Sequence, residues 1–357
     1  MLNSDTGPAD LRVRTRPLRP GADLPLVLEP AGDRSAAALA DGLGRNRSQV
    51  QQLLREHGAL LLRGFGIDTP EQFEQVALAI DPELEDEYLG TSPRNALTKH
   101  VFTASELPEF YPIPQHCEMS FLKTPPRRLF FHCLVASRTG GETPLVDFRK
   151  VLADMDPAVR RRFEENGIRN IRNYAAPGSR RNLDPFQLKA WPEMFGTTDR
   201  ARVEAKCEEQ GFEASWGADG SLRLTNRQPA TRNHPETGQP AWFNHSQVFH
   251  LATGPAELQR IWKHRRDLRS LLLWQATRVA VALKRRLQAP EEQAMHCTYA
   301  DGREIPAADM DHVRDLIWKH MVAFPWQQGD VVAIDNFAVS HGRLPYRGPR
   351  TIAVAWA

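Results

Sequence analysis

What most limits the fold of this chain is where its apolar runs fall. Short runs with strand character lie toward both ends: "ALLLRGF" at 59–65 and "RRLFFHCLVAS" at 127–137, then "GDVVAIDN" at 329–336 and "RTIAVAWA" at 350–357. Each is bounded by Gly, Asp, Asn or Ser, the pattern of a strand buried between layers. Helical patterns fill much of the rest, apart from "GFEASWGADGSLRLTNRQPA" at 211–230, which reads as short strands and turns. "SAAALADGLGRNRSQVQQLLREHG" reads as helix closing at Gly58, and "DTPEQFEQVALAI" has Asp68 or Thr69 as cap, Pro70 at the first helical position, and Phe73, Val76, Ala77 and Ile80 on one face. A doubly wound sheet would alternate strand and helix regularly. This order predicts a mainly β fold with α insertions, its β core assembled from both ends of the chain. The expected organisation is a flexible N-terminal segment at 1–24, then a single domain over 25–357 with a helical insertion at about 150–300.

Charge and cysteine use narrow the function classes. The 46 Lys and Arg against 44 Asp and Glu give a formal net charge of +2, which excludes the broad basic footprint of a nucleic-acid binder. The arginine-rich pieces "RNIRNY" (169–174) and "KHRRDLRS" (263–270) read as solvated helix faces. Cys117, Cys133, Cys207 and Cys297 show no paired spacing, as expected of reduced thiols in a cytoplasmic protein. The N-terminus lacks the apolar core of a secretory signal, and no apolar run is long enough for a membrane span. No GxGxxG or P-loop spacing offers a phosphate cradle.

One short stretch carries chemistry. "IPQHCEMSF" (113–121) places His116 and Glu118 two apart; on a strand both point to one face, with Cys117 opposite. His341, in the loop-like "FAVSHGRLPYRGP" just after a buried strand, supplies the further ligand such a pair needs. Two imidazoles and a carboxylate make the facial triad of non-haem Fe(II) oxygenases, leaving coordination positions open. Arg350 begins the last strand on the face shared by Ile352, Val354 and Trp356. A guanidinium there needs an anion, and a dicarboxylate co-substrate would provide it, with the Thr143 hydroxyl as a second donor.

Together "QHCEMSF", "GGETPLVD", "WQQGDVVAIDNFAVSHGRLPYRGPRTIAVAW" and "ALLLRGFGIDTPEQFEQV" resemble the TauD/TfdA superfamily of Fe(II)/2-oxoglutarate-dependent oxygenases. The resemblance runs in order from about 57 to 357 and is nearest to the SyrP-like branch, which modifies amino acids, free or carrier-bound, in specialised metabolism such as antibiotic biosynthesis. It implies a double-stranded β-helix (jelly-roll) core. It also implies that His116, Glu118 and His341 bind Fe(II), and that Thr143 and Arg350 hold the distal carboxylate of 2-oxoglutarate, with O₂ as oxidant. Two departures matter. Taurine-type members carry Asp where this chain has Glu118, and a second arginine where it has Val354, which argues against a sulfonate substrate. Related halogenases replace the carboxylate ligand with a small residue, so Glu118 implies hydroxylation, with succinate and CO₂ released, and leaves desaturation or cyclisation open.

Four residues are candidate substrate contacts: Arg94 in "TSPR", for a substrate carboxylate or a phosphopantetheine; Asn244 and His245 in "WFNHSQVFH"; and Arg343 beside the metal loop. The expected partners are a small molecule, free or presented by a carrier protein, and neither nucleic acid nor membrane. Two other readings use the same ligands: a zinc hydrolase with a metal-bound water, and a non-catalytic jelly-roll binding protein with a structural metal. Neither explains Arg350 together with Thr143.

Overall fold

The computed structural model describes residues 11–88, 90, 94–105, 107–179, 188 and 190–357. The apolar runs at the two ends of the chain do come together. They form a seven-stranded sheet in the spatial order Val13–Pro17, Leu26–Pro30, Ala59–Leu62, Val331–Asp335, Arg128–Val135, Thr351–Trp356 and Phe102–Thr103. All neighbours are antiparallel except Leu26–Pro30 with Ala59–Leu62. The central strands are apolar on both faces because both faces are covered. Leu61, Phe131, Val332, Ile352, Val354 and Trp356 enter one apolar cluster, while Leu60, Phe130, Val331, Ala333 and Ala353 enter another.

The second cluster lies under three helices, Ala36–Arg45, Arg47–His57 and Pro70–Ile80. The expected single helix over 35–57 breaks at Asn46, and Gly58 ends it as expected. Thr69 caps the third helix in a reciprocal box with Gln72, and the predicted face Phe73, Val76, Ala77 and Ile80 is buried.

The other face of the large sheet meets a three-stranded sheet, Ile113–His116, Val339–Arg343 and Leu145–Asp147. His341 on that small sheet lies with its ring 4.9 Å from that of Phe131 on the large one. The turn expected at the glycine pair forms: Gly140 and Gly141 have φ of +71° and +72°, which a residue with a Cβ rarely adopts. It carries Thr139–Gly140 into a two-stranded pairing with Tyr346–Arg347.

Two expectations are corrected. Residues 1–10 lie outside the described residues, but the N-terminal segment is not loose throughout, since Val13–Pro17 pairs residue for residue with Leu26–Pro30 at the sheet edge. The insertion is less helical than expected: strands form at 211–230 as read, and also at 168–174 and 295–299. It holds a four-stranded antiparallel sheet, Glu213–Trp216, Leu222–Gln228, Ile168–Tyr174 and Met295–Tyr299, beside a hairpin of Thr231–Asn233 and Pro240–Trp242. "RNIRNY" is therefore a buried strand rather than a solvated helix face. The middle of its inward face is polar, Asn170 and Arg172, while Ile171 on the other face is buried, so the alternation that marks a half-buried strand never shows in hydrophobicity. "KHRRDLRS" is solvated as expected, but Arg266 at φ +57° and the Asp267 cap split that region into the helices Thr253–Arg265 and Leu268–Leu287. Part of the region read as helical around 185–210 lies outside the described residues; Trp191–Phe195 and Arg200–Glu209 are helices. Among the described residues no helix is long and apolar enough to cross a membrane. All four cysteines are buried and free.

Candidate metal centre and anion site

His116 ends its strand, and His341 lies directly across from it in the antiparallel register, their rings 4.3 Å apart. Glu118 is not on the strand, as the spacing had predicted. It sits in a turn just beyond, where Met119 has φ +48° and Cys117 is packed into the apolar core. Asn336 fixes that turn: its Oδ1 accepts from the Glu118 N–H at 2.7 Å, and its Nδ2 donates to the carbonyls of Glu118 and Pro126 at 3.0 and 2.7 Å. The ligand atoms of His116, Glu118 and His341 all lie within 4.8 Å of one another.

The surroundings prepare these atoms for a cation. His116 Nδ1 is 2.9 Å from the Pro114 carbonyl, which puts the proton on Nδ1 and leaves the Nε2 lone pair free. Burial and the neighbouring His341 push its pKa down to about 4, so the ring is neutral. Burial alone would raise Glu118, but Arg94 and the two histidines outweigh it and hold the carboxylate ionised. Arg94 Nη2 is 3.0 Å from Glu118 Oε2, and the Tyr88 hydroxyl donates to Oε1 at 3.2 Å. The Arg94 guanidinium is itself stacked 4.2 Å from the Tyr88 ring centroid. His341 Nε2 lies 3.5 Å from Glu118 Oε2, while its Nδ1 is buried without a partner. Two imidazoles and one carboxylate suit Fe(II) and leave room for further oxygen donors.

Arg350 and Thr143 come together as expected. Arg350 Nε donates to the Gly141 carbonyl at 2.8 Å and Nη2 to Thr143 Oγ1 at 3.4 Å. The Trp326 indole N–H also donates to Thr143 Oγ1, at 3.2 Å. With its oxygen accepting from both, the Thr143 hydroxyl keeps its own proton to donate. Among the described residues Arg350 has no carboxylate within ion-pair distance, and burial together with Arg343 lowers its pKa to about 10. Such a cation calls for an anion from outside the chain.

The substrate candidates fare differently. His245 does reach the centre: its ring packs edge-on 5.5 Å from His116, and its Nδ1 lies 2.6 Å from Ser120 Oγ. The other three are committed elsewhere. Arg94 is bound to Glu118 and Tyr88, because a buried carboxylate needs a counter-charge. Asn244 spends its amide on backbone, donating to the Ala230 carbonyl at 2.6 Å and accepting from Ser246 N–H at 2.8 Å. Arg343 donates to the carbonyls of Ser105, Pro108 and Tyr111, pinning that segment over the small sheet. Sequence reading missed Tyr88, Asn336, Trp326 and Ser120. Asn336 alone left a signal, a polar residue ending the apolar run "VVAID".

Comparisons with known proteins agree with this geometry. The profile of the family described as "Taurine catabolism dioxygenase TauD, TfdA family" matches residues 15–356. The Dapdiamide synthesis protein DdaC of Enterobacter agglomerans is 31% identical over 309 residues, covering 86% of this chain and 84% of the relative. A clavaminate synthase-like protein of Arabidopsis thaliana is 29% identical, covering 85% and 82%. The crystal structure of PvcB from Pseudomonas aeruginosa shares the fold, with a TM-score of 0.53 at 16% identity over 99% of this chain and 94% of that one. A profile match over nearly the whole length, on a chain that brings two histidines and a glutamate to one point, makes this protein a member of the TauD/TfdA dioxygenase family, whose cofactor is iron(II) and whose co-substrate is 2-oxoglutarate.

Proposed function

We propose that this enzyme hydroxylates an unactivated C–H bond of an amino acid or an amino-acid-derived substrate in specialised metabolism, as in the SyrP-like branch. His116, Glu118 and His341 hold the iron, and Arg350 with Thr143 holds the far carboxylate of 2-oxoglutarate. The observation that carries the reading is the convergence of three ligand atoms within 4.8 Å, with Thr143, two residues from the Leu145 that pairs with His341, bonded to an Arg350 that has no carboxylate partner among the described residues. Opposed large and small sheets support a jelly-roll core.

When bound, iron(II) with 2-oxoglutarate supplies the oxidising power, releasing succinate and CO₂ as O₂ is consumed. The chain's own groups position and protect. Arg94 and Tyr88 orient Glu118, the Pro114 carbonyl fixes the His116 tautomer, and Asn336 holds the turn between them. Trp326 and Arg350 aim the Thr143 proton at the anion. Phe121 and Phe131 wall the centre with apolar surface and keep water from it. Glu118 as the acidic ligand supports hydroxylation.

Anaerobic addition of Fe(II) and 2-oxoglutarate should produce a weak visible charge-transfer band, and a panel of amino acids with Fe(II), ascorbate and O₂ should release succinate. Zn(II) should give neither. Activity with zinc and no requirement for 2-oxoglutarate would overturn the reading in favour of a hydrolase.

A further inference from the structure

Beside His245 the inserted sheet buries a group of polar side chains that the iron chemistry does not use. Asn170 and Arg172 point inward from Ile168–Tyr174 and are 0% and 1% exposed. Asn226 faces Asn170 across the strand pair, and Ser246 lies behind Cys297, which is Asn170's other cross-strand neighbour. Among the described residues Arg172 Nε and Nη2, both polar atoms of the Asn170 amide, Asn226 Oδ1 and Ser246 Oγ all lack a hydrogen-bond partner.

Arg172 is the telling member. Its Nη1 reaches the Tyr174 hydroxyl at 3.3 Å, while the Nε–Nη2 edge is empty. That edge is the one that grips carboxylates side-on elsewhere in this protein: Arg63 uses it on Asp330 at 3.0 and 2.6 Å, and Arg162 on Asp309 at 2.8 and 2.7 Å. The guanidinium plane is already fixed, 4.2 Å from the Phe121 ring centroid and 4.6 Å from that of Phe212. A buried guanidinium without a counter-charge is costly, and water cannot neutralise it.

The geometry points to the binding site of a free α-amino acid. Its carboxylate lies on the Nε–Nη2 edge of Arg172, and its ammonium is shared by the amide oxygens of Asn170 and Asn226 with the Ser246 hydroxyl. The site stands two ring contacts from the metal centre: Phe121 to His245 at 4.9 Å, then His245 to His116 at 5.5 Å. An extended side chain on the amino acid therefore reaches past His245 toward the iron ligands. The proposal rests on the oxygenase reading for its reaction and sharpens it for its substrate. A carboxylate gripped by Arg172 must be free, so the substrate is not thioester-linked to a carrier.

The test uses the full chain under anaerobic conditions with Fe(II) and 2-oxoglutarate. L-Arginine, L-lysine, L-glutamine, L-methionine and L-leucine are each compared with their own α-amides. At least one free acid should perturb the visible band and, with O₂, release succinate, while its amide binds roughly 30-fold or more weakly. Arg172→Met should erase that discrimination and leave the band without substrate unchanged; Arg172→Lys should restore part of it. The proposal is overturned if acid and amide act alike, if no member of the panel acts, or if Arg172→Met shifts half-saturation by less than about twofold. Should Arg172→Met fail to fold, the wild-type comparison of acid with amide decides alone. Loss of the band in the wild-type protein would count instead against the oxygenase reading.

Discussion

Two buried polar regions, one on the small sheet and one on the inserted sheet, are built on opposite plans. Around Glu118 nearly every charge is balanced within the chain: Arg94 and Tyr88 hold the carboxylate, and Asn336 holds the turn beneath it. Around Arg172 the chain provides aromatic faces and, among the described residues, no counter-charge. A metal ligand must be ionised and aimed before the metal arrives, so its partners are kept permanently. A group meant for an organic anion must keep its hydrogen-bonding edge empty. Arg350 stands between the two plans: its Nε and Nη2 donate to the Gly141 carbonyl and the Thr143 hydroxyl, yet among the described residues it has no carboxylate partner.

The largest effect should come from removing a ligand. His116→Ala or Glu118→Ala is expected to abolish both succinate release and the anaerobic charge-transfer band; a variant that kept the band would break the metal half of the comparison. Next, Arg350→Ala should raise the half-saturating 2-oxoglutarate concentration roughly 30-fold or more, since it strips a buried anion of its charged partner. Unchanged co-substrate affinity in a steady-state titration would remove Arg350 from the anion sites. Arg94→Met should weaken iron binding roughly 10- to 100-fold, measured by Fe(II) titration, and leave amino-acid half-saturation where it was. The opposite outcome would place Arg94 with the substrate and reverse the contrast drawn between it and Arg172.

The smallest effect concerns spacing rather than charge. A Cβ on Gly342 would stand 2.6 Å from the Ile113 carbonyl oxygen, between the strands that carry His341 and His116. Gly342→Ala should therefore cost about 1–3 kcal/mol in thermal unfolding and loosen iron without abolishing binding. An unshifted melting temperature would mean that the irregular pairing between His341 and Arg343 absorbs the methyl group.

How much was legible in the sequence follows the same division. Helix Pro70–Ile80 could be read because its cap, its proline and its apolar stripe are all local. The strands Ala59–Leu62 and Val331–Asp335 could be read because both faces are covered and the runs are apolar up to Asp335. Ile168–Tyr174 could not, since its buried face carries Asn and Arg, which a sequence shows in solvated segments as well. Arg94 was identified as functional with a substrate as its partner, whereas the structure pairs it with Glu118: its charge is visible in the sequence, but its neighbour lies 24 positions away.

The sequence by itself determined which residue types could serve as ligands, their order and the apolar runs that form the central sheet, because residue chemistry and short-range periodicity are properties of neighbouring positions. Only the tertiary structure decided which arginine neutralises the metal carboxylate, which pins a loop and which keeps an open edge. Those roles depend on what lies within about 3 Å of each guanidinium, where charge-assisted hydrogen bonds form, and chain order carries no record of such distances.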